Sequence, residues 1–187
     1  MECKIYFANS QSEYCRMKFK ELNISGVFLI SIEKNEDERG FFARTFCKNE
    51  FSEYGLCTEF VQCNMSYNVK KGTLRGMHYQ AAPYEEVKIV SCIQGSIYDV
   101  VLDIRRESKT YGKWISIELS AKNNEILYIP KGMAHGFQSL VDNSIVYYQM
   151  GDFYKSGAGL GIRYDDKRFK IHWPIVDKII SNQDQKF

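Results

Sequence analysis

The sequence predicts an all-β domain, an antiparallel sandwich or barrel with a few short helices. Three observations carry that expectation. Short apolar runs recur along the chain: Val87 to Ile93, Ser96 to Ile104, Lys113 to Leu119, Ile126 to Ile129 and Ser144 to Met150. Turn signals such as Gln94-Gly95, Tyr111-Gly112 and Lys131-Gly132 separate them. Helical periodicity is scarce. With 187 residues, 44% hydrophobic and 14% aromatic, one domain can bury a substantial core.

The bulk numbers exclude several functions. A net charge of +2 with no dense basic run gives no footprint for nucleic acid. No apolar stretch reaches membrane-spanning length, and no secretory h-region is present. The six cysteines form no C-x-x-C pair. They read as free thiols of a reducing compartment, which predicts a cytoplasmic protein without cysteine-bound zinc.

Residues 1–16 carry no clear period and read as an N-terminal extension, leaving 17–187 as a single domain. Val27 to Ile32 is strand-like. Glu33 to Glu38 reads as a charged loop, and Arg39-Gly40 opens a second strand over Phe41 to Phe46. Asn49 is placed to cap a short helical turn, Glu50 to Tyr54, that stops at Gly55. Glu59 to Ser66 follows as a strand with Gln62, Asn64 and Ser66 on one face, a polar row that means solvent or a lined pocket. After Trp173-Pro174 the tail is mixed, with a short helical or turn stretch before Ser181.

The stretch Gly72-Thr-Leu-Arg-Gly-Met-His-Tyr-Gln80 is the centre of the functional reading. Strand alternation puts Leu74, Gly76, His78 and Gln80 on one face and Arg75, Met77 and Tyr79 on the other. An inward His beside a glycine is a candidate general base, and a satisfied core His is the plainer alternative. Lys88 on an inner face is costly unless it meets an anion or a keto oxygen. Of the adjacent Tyr147 and Tyr148, one faces in and one out. Asp99 and Asp103 share a parity and read as structural or strand-edge groups. His172 reads as a surface or packing residue.

Two spacings, Gly72-x5-His78-x-Gln80 followed by Glu85/Glu86, and Pro130-x-Gly132-x2-His135, resemble the paired motifs of the cupin jelly roll. Metal cupins use His-x-His in the first motif. Here Gln80 takes the second position, and an amide carbonyl is a poor ligand for a divalent transition metal, so no metal is expected. The set Asp37-Glu-Arg39-Gly-Phe-Phe, Gln62-Cys-Asn64, Arg75-Gly-Met-His78-Tyr-Gln80, Lys88-Ile-Val, Asp99-Val-Val-Leu-Asp103-Ile-Arg105, Ala134-His135-Gly-Phe137 and Trp173-Pro174 narrows the resemblance. It resembles the dTDP-4-dehydrorhamnose 3,5-epimerase family from about Met17 to Asp184.

That resemblance implies a cupin-type jelly roll. It also implies cofactor-independent epimerisation of a nucleotide-diphosphate 4-keto sugar, in the synthesis of surface polysaccharide precursors. By match to the family, His78 is the base, Tyr148 the opposite-face acid, Lys88 the oxyanion partner and Asp184 the group that orients His78. Arg39, Arg75 and His135 would hold diphosphate or sugar, and Arg44 is a further substrate-binding candidate. Gln62 and Asn64 would add hydrogen bonds, and Tyr154 would stack on the nucleotide base. Arg44 and Gly159 stand where the family often has Glu, and Gln183 where it often has Lys; all three lie on the nucleotide side in the family. The nucleotide therefore stays open among TDP, GDP and CDP, the sugar could be a heptose, and inversion could be confined to C3. Two other classes compete: a metal-dependent isomerase or dioxygenase using His78, His135 and Glu86, and a non-catalytic sugar-binding cupin. Exposed N-terminal edge strands predict pairing across a two-fold to a homodimer.

Overall fold

Residues 16–187 are described in the structure, a computed structural model. The anticipated extension lies outside the described residues except for Arg16, which pairs with Glu53 at 2.8 Å. Strands dominate, and they run β1 (Lys18–Glu21), β2 (Phe28–Ser31), β3 (Lys34–Asp37), β4 (Gly40–Ala43), β5 (Gln62–Asn68), β6 (Thr73–Gln80) and β7 (Lys88–Gln94). They continue through β8 (Ser96–Asp103), β9 (Trp114–Ser120), β10 (Glu125–Ile129), β11 (Met133–Ser139), β12 (Ser144–Met150), β13 (Gly159–Gly161) and β14 (Ile179–Ile180). The helix α1 (Lys48–Glu53) lies between β4 and β5.

Two sheets face each other. One has the order β1-β2-β10-β7-β12-β5, the other β13-β6-β11-β8-β9, with β14 joining β6 in parallel. All other pairings are antiparallel, and β3-β4 forms a separate hairpin. This is the jelly roll that the motifs imply. Side chains of alternate parity meet between the sheets: Val90, Leu127 and Val146 from the first, Val101, Leu119 and Phe137 from the second. Each such burial contributes about 1.5–3 kcal/mol. The outer face of the first sheet is half covered, by Met17 and by Phe51 of α1 packing on Ile30, Ile89 and Tyr128. The C-terminal segment, anchored by Trp173, covers Leu74, Met77, Val100 and Leu102 on the outer face of the second.

Four local expectations are corrected. Lys34–Asp37, anticipated as loop, pairs with Gly40–Ala43, and the Lys34 ammonium sits over the Phe41 ring at 4.7 Å. The N-cap of α1 is Cys47 rather than Asn49, with no side-chain cap; Glu50 instead accepts from the Met17 N–H at 2.8 Å. The tail just before Ser181 forms the short strand β14, not the helical or turn stretch anticipated.

The fourth correction decides the site. Strict alternation fails in β6, because His135 pairs with His78 while Phe137 pairs with Arg75. Two steps on β11 oppose three on β6, a β-bulge. Leu74, Met77 and Tyr79 therefore pack on the outer cluster, and Arg75 shares the inner side with His78. Close approach of the two backbones requires the bulge to be glycine. Gly76 has φ +121°, and a Cβ there would meet Gly136 Cα at 2.5 Å.

Candidate active site

The inner ends of β5, β6, β7, β11 and β12 enclose a chamber of about 280 Å³, lined by Asn64, Arg75, His78, Lys88, His135 and Tyr148. It opens into a cleft of about 460 Å³ whose wall adds Tyr154, Asp184 and Phe187. Arg75, His78 and Lys88 border both spaces.

His78 lies opposite His135 across β6 and β11. Its Nε2 is 2.7 Å from Asp184 Oδ1, and the other carboxylate oxygen accepts from the Gly76 N–H at 3.2 Å. The imidazole side chain is 45% exposed and the carboxylate 6%. A molecule in the cleft thus meets far more of the ring than of the carboxylate that orients it. Asp184 is fixed in turn by the bond from its own N–H to Ser181 Oγ, 3.1 Å.

Tyr148 comes from β12 of the opposite sheet and faces the chamber, while Tyr147 faces outward beside Cys63. Burial pushes the Tyr148 phenol well above its ordinary range, and the Asp99 charge adds to this; Arg75 and Ser66 pull the other way. The Ser66 hydroxyl is buried with no well-formed hydrogen bond, yet it lies close enough to favour the Tyr148 phenolate. Lys88, nearly buried, pairs with Glu86 at 3.0 Å.

Asp99 is the residue that sequence reasoning undervalued. It is fully buried, and both its oxygens lie within 3.0 Å of His135 Nε2. Burial raises its pKa, and His135 and then Lys88 oppose that rise. The inward parity shared by Ile97, Asp99, Val101 and Asp103 was the available signal. Asp103, by contrast, is structural: although burial opposes it, bonds from Arg105, Ser108 and Thr110 hold its carboxyl below the usual range.

Gln80 serves as a clamp. Its carbonyl accepts from the Lys155 N–H at 2.8 Å, while its amide nitrogen donates to Tyr84 O at 3.0 Å and Glu86 Oε2 at 3.1 Å. Gln62 holds the neighbouring peptide by accepting from the Tyr154 N–H at 2.5 Å. Both amides position the Tyr154 loop, so Gln62 acts on the cleft at one remove. Arg75 borders the chamber while its Nε donates to Asn68 Oδ1 at 2.9 Å and its Nη2 to Tyr67 O at 3.4 Å.

Two expected substrate ligands lie elsewhere within the chain. Arg39 sits exposed on the β3-β4 hairpin, ion-paired with Asp37. Arg44 binds the buried Glu50 at 2.5 Å, fixing the hairpin to α1 rather than lining the cleft. His172 is exposed, away from both cavities. The donors of the metal alternative are each engaged: His78 with Asp184, His135 with Asp99, Glu86 with Lys88 and Gln80. Among the described residues no group of three or more His, Cys, Asp or Glu side chains is arranged to hold an ion.

A family model for dTDP-4-dehydrorhamnose 3,5-epimerase matches residues 21–187. The chain belongs to the dTDP-4-dehydrorhamnose 3,5-epimerase family. The Shigella flexneri enzyme of that name is 44% identical over 155 residues, 81% of this chain and 85% of the relative. A Bacillus anthracis dTDP-4-dehydrorhamnose 3,5-epimerase solved with TDP and PPi bound superposes with a TM-score of 0.89 at 38% identity, covering 91% of this chain and 97% of that one. The Legionella pneumophila dTDP-6-deoxy-D-glucose-3,5-epimerase, in complex with dTDP-4-keto-L-rhamnose, gives 0.86 at 35% identity, with 91% of each chain covered. Against this epimerase family, the departures at Arg44, Gly159 and Gln183 divide. Gly159 and Gln183 border the cleft beside Tyr154, whereas Arg44 is committed to Glu50.

Proposed function

We propose that this chain inverts C3 and C5 of a dTDP-linked 4-keto-6-deoxyglucose, giving the 4-keto-rhamnose used for surface polysaccharide precursors. The observation that carries the reading is that His78 and Tyr148 line one chamber from opposite sheets. Inversion needs a base on one face of a carbon and an acid on the other.

The C4 ketone acidifies the adjacent C–H bonds. His78 Nε2 is bound to Asp184, so Nδ1 takes the C3 proton while the C–H electron pair moves through C3–C4 onto O4. Lys88 steadies that enolate oxygen. The Tyr148 hydroxyl then donates its proton to C3 from the other side, and solvent restores both groups; C5 follows the same course. Burial keeps Tyr148 protonated until it is needed, and the Arg75 charge eases the transient phenolate. Asp184 stabilises the imidazolium. Arg75, His135 and Asn64 hold sugar and diphosphate, and Tyr154, exposed at the cleft wall, stacks on the base.

The reading extends to a cytoplasmic homodimer, in line with Cys47, Cys57, Cys63 and Cys92 being free. Arg39 reaches substrate in this scheme only from a partner subunit, which suits an exposed hairpin outside both sheets.

Incubation in D2O with TDP-, GDP- and CDP-linked 4-keto sugars, followed by proton NMR, tests it. Exchange and inversion at C3 and C5 of the TDP sugar are expected. Exchange at C3 alone would reduce it to a single epimerisation, preference for another nucleotide would replace TDP, and no exchange on any sugar would overturn it.

A further inference from the structure

We infer that Phe187 is a positioning residue for His78, and that position 161 is glycine in order to seat its ring. The functional part of this inference rests on the reading of His78 as the base. Gly161 pairs with His78 across β13 and β6. A Cβ at Gly161 would lie 2.2–2.4 Å from three atoms of the Phe187 ring, so the ring rests where a side chain would otherwise be. The backbone at Gly161 is not left-handed, so the fit to Phe187 is what a side chain there would disturb. From that seat the ring turns its edge to His78, with centroids 5.8 Å apart and planes at 75°, and it borders the cleft.

The tail thus grips His78 twice, through the Asp184 carboxylate on Nε2 and through the Phe187 ring on a flank. It is itself pinned: Arg163 Nη1 donates to Gln185 O at 2.7 Å, and the Gln185 N–H to Ser181 O at 3.1 Å. An apolar ring at that point limits the rotamers open to a half-exposed imidazole and shields its bond to Asp184 from water.

The test uses Phe187→Ala, Gly161→Ala, the double variant and Phe187→Leu, each checked for folding by its thermal transition. Gly161→Ala should evict the ring and so mimic Phe187→Ala. Both should lower the rate constant for deuterium wash-in by about tenfold or more, with KM changed less than about threefold, because misplacing a reacting group costs turnover more than binding. Gly161→Ala should add nothing in the Phe187→Ala background, and Phe187→Leu should recover most of the loss. Nitrogen NMR of the three imidazoles supplies a readout independent of substrate. The His78 signals should shift, and its Nε2 proton should exchange with water, while those of His135 and His172 stay in place. Additive effects, normal turnover in both single variants, or unmoved His78 signals would overturn the inference. A wild-type protein inactive on every sugar would sink the epimerase reading, and the imidazole signals would still decide whether Phe187 positions His78.

Discussion

His78 differs from a packed core histidine in one respect: one of its nitrogens is held by a buried carboxylate while the ring remains half open to a cleft. From this, His78→Asn should abolish deuterium exchange at both ring carbons while preserving the fold, since His135 is committed to Asp99 and His172 lies outside the cavities. Near-normal exchange in that variant would remove His78 from the mechanism. Tyr148→Phe keeps the ring and removes only the hydroxyl. Wash-in should persist, because His78 can return a solvent-equilibrated proton to the face it came from. Net inversion should fall by on the order of a hundredfold, the scale for losing a positioned general acid. Normal inversion in Tyr148→Phe would make the tyrosine a packing residue. At this scale the sequence was informative about side chains that point into the chamber, His78, Lys88 and Tyr148. It was less informative about Asp99, since an acidic residue in a strand looks the same whether it edges the sheet or lies beneath a histidine.

Elements were legible where alternation was clean and obscure where tertiary context overrode propensity. β12 matches its apolar run end to end. β11 is completely buried although its sequence, Met-Ala-His-Gly-Phe-Gln-Ser, has little β character; its central place between β6 and β8 makes it a strand. The bulge in β6 could not be read from a period of two, because one extra residue reverses every later side chain. Gln80 shows the same limit: its polarity was visible, its partners were not. Gln80→Leu leaves the Lys155 N–H, the Tyr84 and Phe153 carbonyls and the Glu86 carboxylate without that amide. It should raise KM several-fold through a loosened Tyr154 loop and cost about 1–3 kcal/mol of stability, read from substrate titration and urea unfolding. An unchanged KM would separate the loop from binding. Asp103→Asn tests the turn after β8. Its lowered pKa means the carboxylate contributes in full above the ordinary value near 4 and ceases to as pH falls through the lower value of the folded state. Asp103→Asn should therefore cost about 2–4 kcal/mol at neutral pH, and the gap to wild type should narrow only in strong acid. A gap independent of pH throughout would assign the loss to packing.

The whole molecule is asymmetric in a way that bears on assembly. The second sheet has its outer face covered by its own C-terminal segment, whereas among the described residues the first has only half its outer face covered. Met65, Tyr67 and Ile93 are exposed there, and Ile93 lines a groove of about 400 Å³ with Ile32, Ile126 and Tyr147. Among the described residues, β5 and β1 are the edges of that sheet. Open edges beside an apolar face are usually covered, and a two-fold copy of the same chain is the commonest cover. Sedimentation at micromolar concentration should give a dimer, and Met65→Glu combined with Ile93→Lys should give a monomer. The β3-β4 hairpin adds a functional consequence. Arg39 lies away from its own cleft, so if it binds diphosphate it does so in the partner's. Arg39→Ala and His78→Asn are then complementary defects. Denatured together and refolded in equal amounts, half the dimers should be mixed. One site in each mixed dimer has His78 from one chain and Arg39 from the other, so about a quarter of wild-type activity should return from two impaired proteins. If the mixture is no more active than the average of its parts, Arg39 does not act across the interface, and its pairing with Asp37 is its whole role.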